Sequence, residues 1–368
     1  MLVHADDILM LATSRQMAIE KMLALLEYCS LNYIKLQLTK CASMCVNSTD
    51  PKDEEPLLLQ NLALKVTSKE VYLGSVITNS TKIEDDVKAD IKHRQISIVK
   101  YFAFLRCNRN APIWVKTMVL DACLISSLLY NSETWASANI DQLEITFRRI
   151  LKSILGVGMT ICNEFIYIEL GIISIKTRVR IKQWKFWKNV LEMGDDNPIV
   201  YIIKEARRMK LKEVKYYDEL VGRYSSTDEI AEEFFEKIRC DIRNKAIQGK
   251  SKYITYLQIN PNLSTPNVYS NLQKQQDISM IGKLRTSSHN LHIEMGRRMG
   301  MVRERRVCSC GNAIEDEEHF LVKCAIYIDI REKHDVKENL KSYDILNDGN
   351  YVQYIKELYE RRKAVAVP

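Results

Sequence analysis

The spacing of apolar residues changes near residue 80, and the change predicts strands before it and helices after it. Leu62, Leu64 and Val66 alternate, as do Val71, Leu73 and Ile77, and a period of two puts alternate side chains on one face of a strand. Thr67 to Glu70, between the two runs, have the length of a hairpin connection. Met1 to Met10 read as a buried apolar β-hairpin, and Lys40 to Val46 as a short strand. Between these, Ile19, Met22, Leu23 and Leu26 form one helical stripe behind a Thr13 or Ser14 cap, ending near Asn32. Asn47 to Pro56 is polar, contains Pro51 and Pro56, and reads as a loop.

From about Lys82 the spacing is helical, and 12 glycines and 7 prolines leave little for strand-rich architecture. One helix is predicted from Ile83 to Cys107. Another starts at Pro112, with Val115, Met118, Val119, Ala122 and Cys123 on its buried face. A third carries Phe147, Ile150, Leu151, Ile154 and Leu155 and stops at Gly156 and Gly158. Helices are also expected over Ser174 to Met193 and Asp228 to Gln248, the latter with Ala231, Phe234, Phe235, Ile238 and Ile242 on one face. Trp184 and Trp187, at helical spacing among Lys182, Lys185 and Lys188, read as core. Asn260 to Asn267, with Pro261 and Pro266, is the best linker. The expectation is an α+β chain: strands and a helix over residues 1–80, helices over 81–260, and a tail over 268–368.

With 368 residues the chain is long enough for two or three domains. Its 54 basic and 47 acidic residues give a net +7, which tolerates an anionic partner without demanding one. Ten cysteines, mostly scattered singly, suit a reducing compartment, and no apolar run of about 18 residues is present. A soluble intracellular protein, cytoplasmic or nuclear, is expected.

Three features bear on chemistry. Asp6 and Asp7 interrupt the apolar hairpin, and buried adjacent carboxylates call for a divalent cation. The dipeptide alone is weak evidence, because Asp85-Asp86 and Asp195-Asp196 read as a helix start and a loop. Cys308, Cys310, His319 and Cys324 supply a tetrahedral donor set for structural Zn²⁺ in a Cys-x-Cys-x₈-His-x₄-Cys arrangement. Its first spacing is one residue shorter than the usual knuckle, and the alternative is a helical hairpin with incidental cysteines. Ahead of it lie Lys283, Arg285, His289, His292, Arg297, Arg298, Arg303, Arg305 and Arg306, opposed by only Glu294 and Glu304. Such a basic helix suits phosphate contacts to RNA or DNA, or is simply a solvated charged face.

In order, the Ala5-Asp6-Asp7 hairpin, a helix, the Lys40 strand and the turn Tyr72-Leu73-Gly74-Ser75 resemble the palm of reverse transcriptases, within which they look like the non-LTR retrotransposon branch. The resemblance continues through Leu129 to Trp135, Ile154 to Val157 with Asn163-Glu164, and the cysteine-rich segment up to Cys324, so it spans nearly the whole chain. It implies a partial palm followed by a helical thumb and tail. It also implies Mg²⁺ (or Mn²⁺) bound by Asp6 as principal ligand and Asp7 as companion. Lys40 would be a proton donor or charge neutraliser near the pyrophosphate, and Tyr72, Leu73 and Gly74 would support the primer end. An RNA template with a DNA primer or target DNA would be the partners. The chain departs from the family at His4, where an aromatic is usual, at Gln37 for asparagine and at Asn131 for glycine. The family's other metal-binding aspartate, nucleotide pocket and fingers lie upstream of the Asp pair. The chain is therefore expected to be a carboxyl-terminal part, inactive alone, or else a non-catalytic nucleic-acid-binding module or inert scaffold derived from such an element.

Overall fold

The computed structural model describes residues 1–48, 55–59, 62–337 and 339–365, and in it strands give way to helices near residue 80. The fold is α+β, mostly helical with a few short strands. Strands β1 (Leu2–His4) and β2 (Asp7–Leu9) pair antiparallel, Val3 opposite Ile8 and His4 opposite Asp7. Helix α1 (Arg15–Leu31) follows, its first turn capped by Ser14, which accepts from the Met17 amide. Strands β3 (Ala42–Ser43), β4 (Leu57–Leu59) and β5 (Leu62–Val66) form a sheet ordered β3-β5-β4, under which Met22 packs on Leu57, Leu59 and Leu64. Strands β6 (Lys69–Tyr72) and β7 (Ser75–Thr78) form a separate antiparallel pair.

Three expectations for this region are corrected. The β1–β2 hairpin is exposed rather than buried: among the described residues it pairs only with itself, leaving Leu2 55% and Val3 56% exposed. The argument from buried anions therefore does not apply to Asp6 and Asp7. Lys40 does not open a strand. It ends a 3₁₀ turn (Leu38–Lys40) whose amides bond back to Gln37 and Leu38, and β3 begins only at Ala42. Thr67 to Glu70 do not join paired strands, because β5 pairs with β4 and β3 while β6 turns back on β7. The tight turn is Leu73-Gly74, with left-handed φ values of 48° and 76° that match the twist of a two-residue hairpin. Of the predicted loop, residues 49–54 lie outside the described residues.

Helix α2 (Ile83–Cys107) has the predicted bounds. Pro112 precedes α3 (Ile113–Val119), which runs through a wide π turn (Leu120–Ile125) into α4 (Ser126–Leu128). Here the predicted face is wrong. Lys116, Leu120, Leu124 and Leu128 point inward while Met118, Ala122 and Cys123 are exposed. The departure begins ahead of the π turn, at buried Lys116 and exposed Met118, and the inward positions then recur every four residues through it.

Helix α5 (Asp141–Leu155) buries Phe147, Ile150, Leu151, Ile154 and Leu155 as predicted and is ended by Gly156 at φ 71°. On it pack α6 (Asn163–Leu170) and α7 (Ile175–Leu191); α8 (Pro198–Arg208) and α9 (Lys212–Arg223) pack on α7, and α10 (Thr227–Ile247), paired with α11 (Ser251–Ile259), packs on α6 and α7. Trp187 stacks on Tyr217 and Trp184 packs by Leu220 and Tyr224, so both tryptophans are core. The tail contributes α12 (Gln275–Arg285), α13 (His292–Arg298), α14 (Ile328–Lys333), α15 (Ser342–Asn347) and α16 (Val352–Val365). One buried cluster runs from Val87 to Leu358 and includes Leu263, which with buried Asn260 anchors the stretch Asn260 to Asn267 on that core while Pro261, Asn262, Ser264, Thr265 and Asn267 stay exposed. Among the described residues no helix is long and apolar enough to cross a membrane.

Candidate metal centre and nucleic-acid interface

Cys308, Cys310, His319 and Cys324 converge, their donor atoms all within 4.8 Å of one another. The Cys308 and Cys324 sulfurs are 3.7 Å apart, and Cys310 Sγ lies 3.3 Å from His319 Nε2. Local backbone explains how a Cys-x-Cys pair achieves this. The Cys308 amide bonds Ala313 O at 2.8 Å, the Gly311 amide bonds Cys308 O at 2.9 Å, and Val307 bridges Ile314. Gly311 turns the chain at φ 77°, a conformation that favours glycine. His319 opens a π turn (His319–Lys323) whose carbonyl accepts from the Cys324 amide, setting both on one side. The group could hold a metal ion.

Burial acts on all four side chains. Burial pushes the Cys308 thiol up to about 12 and raises Cys324 as well. Burial also works to raise Cys310, but the Asn312 amide and the neighbouring sulfurs outweigh it and leave that thiol below its usual range. Burial lowers the His319 imidazole, favouring the neutral ring that a metal requires.

Of four consecutive acidic residues, Glu315, Glu317 and Glu318 fix the module to the body and Asp316 bonds within it. Glu315, 1% exposed, accepts from the His292 amide at 2.6 Å and from Arg362 of α16 at 2.6 and 2.7 Å. Asp316 accepts from the His319 amide at 2.9 Å, and Glu317 lies 2.9 Å from His289 Nε2. Glu318 accepts from the Ser342 amide at 2.9 Å. Sequence reading assigned this run no role; the signal was its unbroken acidity immediately before His319.

Asp6 occupies the turn between β1 and β2 and Asp7 the first position of β2; both are exposed. Lys40 is exposed too. Among the described residues no third carboxylate or histidine joins Asp6 and Asp7 in a group able to hold a metal.

The Tyr72-Leu73-Gly74 turn is held by side chains that sequence reading missed. Buried Arg94 donates to Gly74 O at 2.9 Å and Tyr130 O at 2.6 Å, and pairs with buried Asp90 at 3.2 Å. Asp90 in turn accepts from the Val76 amide at 2.7 Å. The signal was an Asp-Arg pair at i,i+4 in a predicted helix. Asn131 donates to Ser75 Oγ at 3.0 Å and adopts φ 58°. Asparagine tolerates that left-handed conformation better than most residues.

The basic segment is not one helix but α12, α13 and a 3₁₀ turn (Arg303–Arg305). Arg285 is fully buried, bonded through Nε and Nη2 to Glu169 at 2.8 and 2.9 Å. Its assignment as a phosphate contact is therefore corrected: a guanidinium sealed in the core reaches no nucleic acid. Arg297 pairs with Glu294, Arg298 donates to Ser288 O and His289 O, and Arg306 donates to Met301 O and Ile293 O. Arg303 and Arg305 are exposed and, among the described residues, in no ion pair.

Compared with family models, curated proteins and solved structures, the chain matches none.

Proposed function

We propose that this chain is a portion of an RNA-directed DNA polymerase of the non-LTR retrotransposon kind, contributing a carboxylate hairpin, a primer-supporting turn and a zinc-folded tail that holds nucleic acid. The observation that carries the reading is the assembly of Cys308, Cys310, His319 and Cys324 at the place where the resemblance implies a knuckle, despite the shortened first spacing. Zn²⁺ suits the donors: a tetrahedral ion with Zn–S of about 2.3 Å and Zn–N of about 2.0 Å separates two sulfurs by about 3.8 Å and a sulfur from a nitrogen by about 3.5 Å. Two of the six separations here, Cys308 to Cys324 and Cys310 to His319, are 3.7 and 3.3 Å, and all six are within 4.8 Å. Arg303 and Arg305, exposed beside the module, are the side chains best placed to neutralise backbone phosphates.

Mg²⁺ or Mn²⁺ in such polymerases activates the primer 3′-hydroxyl and offsets charge on the transferred phosphate. Asp6 and Asp7 lie on one hairpin, and among the described residues nothing completes a two-ion site around them. Polymerisation thus requires carboxylates from another segment or chain. That observation favours a second reading for this chain acting alone, a nucleic-acid-binding module without catalysis.

Two measurements test the proposal. The chain alone should not extend a primer on an RNA template with Mg²⁺ or Mn²⁺; template-dependent extension that Asp6→Asn abolishes would overturn the incomplete-site reading. Binding to single-stranded RNA should weaken with salt, and Arg303→Gln with Arg305→Gln should make the log–log slope shallower by about 1.4, two phosphates at about 0.7 each. An unchanged slope removes these arginines from the interface, and absent RNA binding leaves a structural metal module on an inert scaffold.

A further inference from the structure

A cavity of about 400 Å³ opens between the ends of α2, α3, α5 and α12, lined by Arg106, Arg109, Lys116, Ser153, Gln275 and Ser279 among others. Its electrostatics are one-sided. Lys116 is 2% exposed, and its Nζ donates to Arg109 O at 2.8 Å and to the Gln275 side-chain oxygen. An ammonium has three donors, so one remains beyond these two. Among the described residues no carboxylate lies within ion-pair distance of Lys116, Arg106 or Arg109 (the ion pairs of the region involve other side chains). Burial lowers the Lys116 pKa, and no nearby anion is there to restore it.

The wall is built rather than incidental. Gln275 holds two elements at once, accepting from Lys116 and donating through Nε2 to Ile154 O at 3.2 Å. Ser279 donates to Gly156 O at 2.6 Å. A Cβ on Gly156 would stand 2.5 Å from Gln275 Nε2 and 2.9 Å from Ser279 Cβ, so this close approach of α12 to the end of α5 needs a residue without one. A buried cation normally finds an anion, and the two exposed guanidinium groups of Arg106 and Arg109 at the mouth suit a tetrahedral oxyanion in charge.

We propose that this cavity is a phosphate site, in which Lys116 from within and Arg106 and Arg109 from the rim hold one phosphate group. The chemistry is that of free phosphate, a phosphomonoester or one backbone phosphate of a nucleic acid. The site does not rest on the polymerase reading.

Inorganic phosphate titrated into the full chain at constant ionic strength, against chloride, should raise the unfolding midpoint saturably and broaden the phosphate ³¹P line. Arg106→Gln, at an exposed position, should lose both effects. Lys116→Met should lose them too while raising the midpoint of the phosphate-free protein, because it removes a buried charge with no counter-ion. A purely structural lysine would give the opposite sign, and Arg106→Gln keeps the test open if Lys116→Met fails to fold. A short oligothymidylate that abolishes the line broadening identifies backbone phosphate as the source; broadening unaffected by it identifies a free phosphate or monoester, and either result sustains the site. A midpoint that rises without saturation and equally in all three proteins is general salt stabilisation and overturns the proposal, as does no effect in the wild type.

Discussion

Replacing Arg285 with methionine should cost this protein several kcal/mol, although in sequence the residue belongs to a run suited to surface phosphate contacts. Its guanidinium and the Glu169 carboxylate are both 0% exposed. Besides its two bonds to Glu169, Arg285 donates to Leu346 O at 3.2 Å and to the Asn347 side-chain oxygen at 2.5 Å. Tyr256 and Tyr269 donate to the same carboxylate at 2.8 and 2.5 Å. The network thus ties α6, α11, α12 and the end of α15 together. Methionine keeps much of the stem but leaves Glu169 buried against two hydroxyl donors, and breaking such a pair from one side costs about 3–5 kcal/mol. Glu169→Leu with Arg285→Met leaves neither charge, so the double variant should cost about 1–3 kcal/mol less than the sum of the single changes. Urea unfolding followed by tryptophan fluorescence measures both. Where Arg285→Met remains folded, its RNA affinity should equal that of the wild type. A stability loss below about 1 kcal/mol combined with weakened RNA binding would refute the buried-pair account and return Arg285 to the surface.

Gly156→Ala should destabilise by about 1–2 kcal/mol from the left-handed backbone alone, with more from the clash against Gln275 and Ser279; a neutral thermal shift would contradict the close approach of α12 to α5. Glu164 accepts from Lys245 and from Tyr253 at 3.1 Å, and although burial works to raise its pKa, these bonds hold it below its ordinary value of 4.5. A depressed folded pKa means stability that is fully present above 4.5 and lost as pH falls through the folded value, so Glu164→Gln should lower stability at neutral pH and flatten the acid-side decline; urea midpoints that fall in parallel for both proteins would count against it. Metal affinity of the cysteine cluster should drop as pH falls, because Cys308, Cys310 and Cys324 bind only as thiolates; competition with a chromophoric chelator across pH reads this directly, and a flat profile would be inconsistent with thiolate ligation.

Periodicity carried the long helices well. Ile83–Cys107 has its predicted bounds, and the stripe from Phe147 to Leu155 is the centre of the core, because 3.6-residue spacing over several turns has one reading. It failed in two places. The buried face after Pro112 follows Lys116, Leu120, Leu124 and Leu128, a spacing of four that runs on through the π turn at Leu120–Ile125, and the hairpin turn at Leu73-Gly74 lies where the resemblance put a turn, within Tyr72 to Ser75, and not at Thr67 to Glu70 where alternation put it. The metal cluster was legible because ligand types and loop length are written in the chain, whereas the fates of the arginines were not. Arg285 and Arg303 differ by what lies across from them, Glu169 in one case and solvent in the other, and Glu169 is 116 residues away in sequence. Composition also could not tell that the Leu2–Leu9 hairpin lacks a covering layer, since an apolar strand reads the same whether or not a neighbour is present.

The metal content of the full chain, purified under reducing conditions without added chelator, bears most directly on the proposed zinc-folded tail. One Zn²⁺ per chain is expected, absent in Cys324→Ser, with chelation loosening the segment around Cys308 and His319 as followed by amide hydrogen exchange. Protein that is folded, reduced and free of zinc, with the Cys308–Cys324 region equally protected with and without chelator, would contradict it.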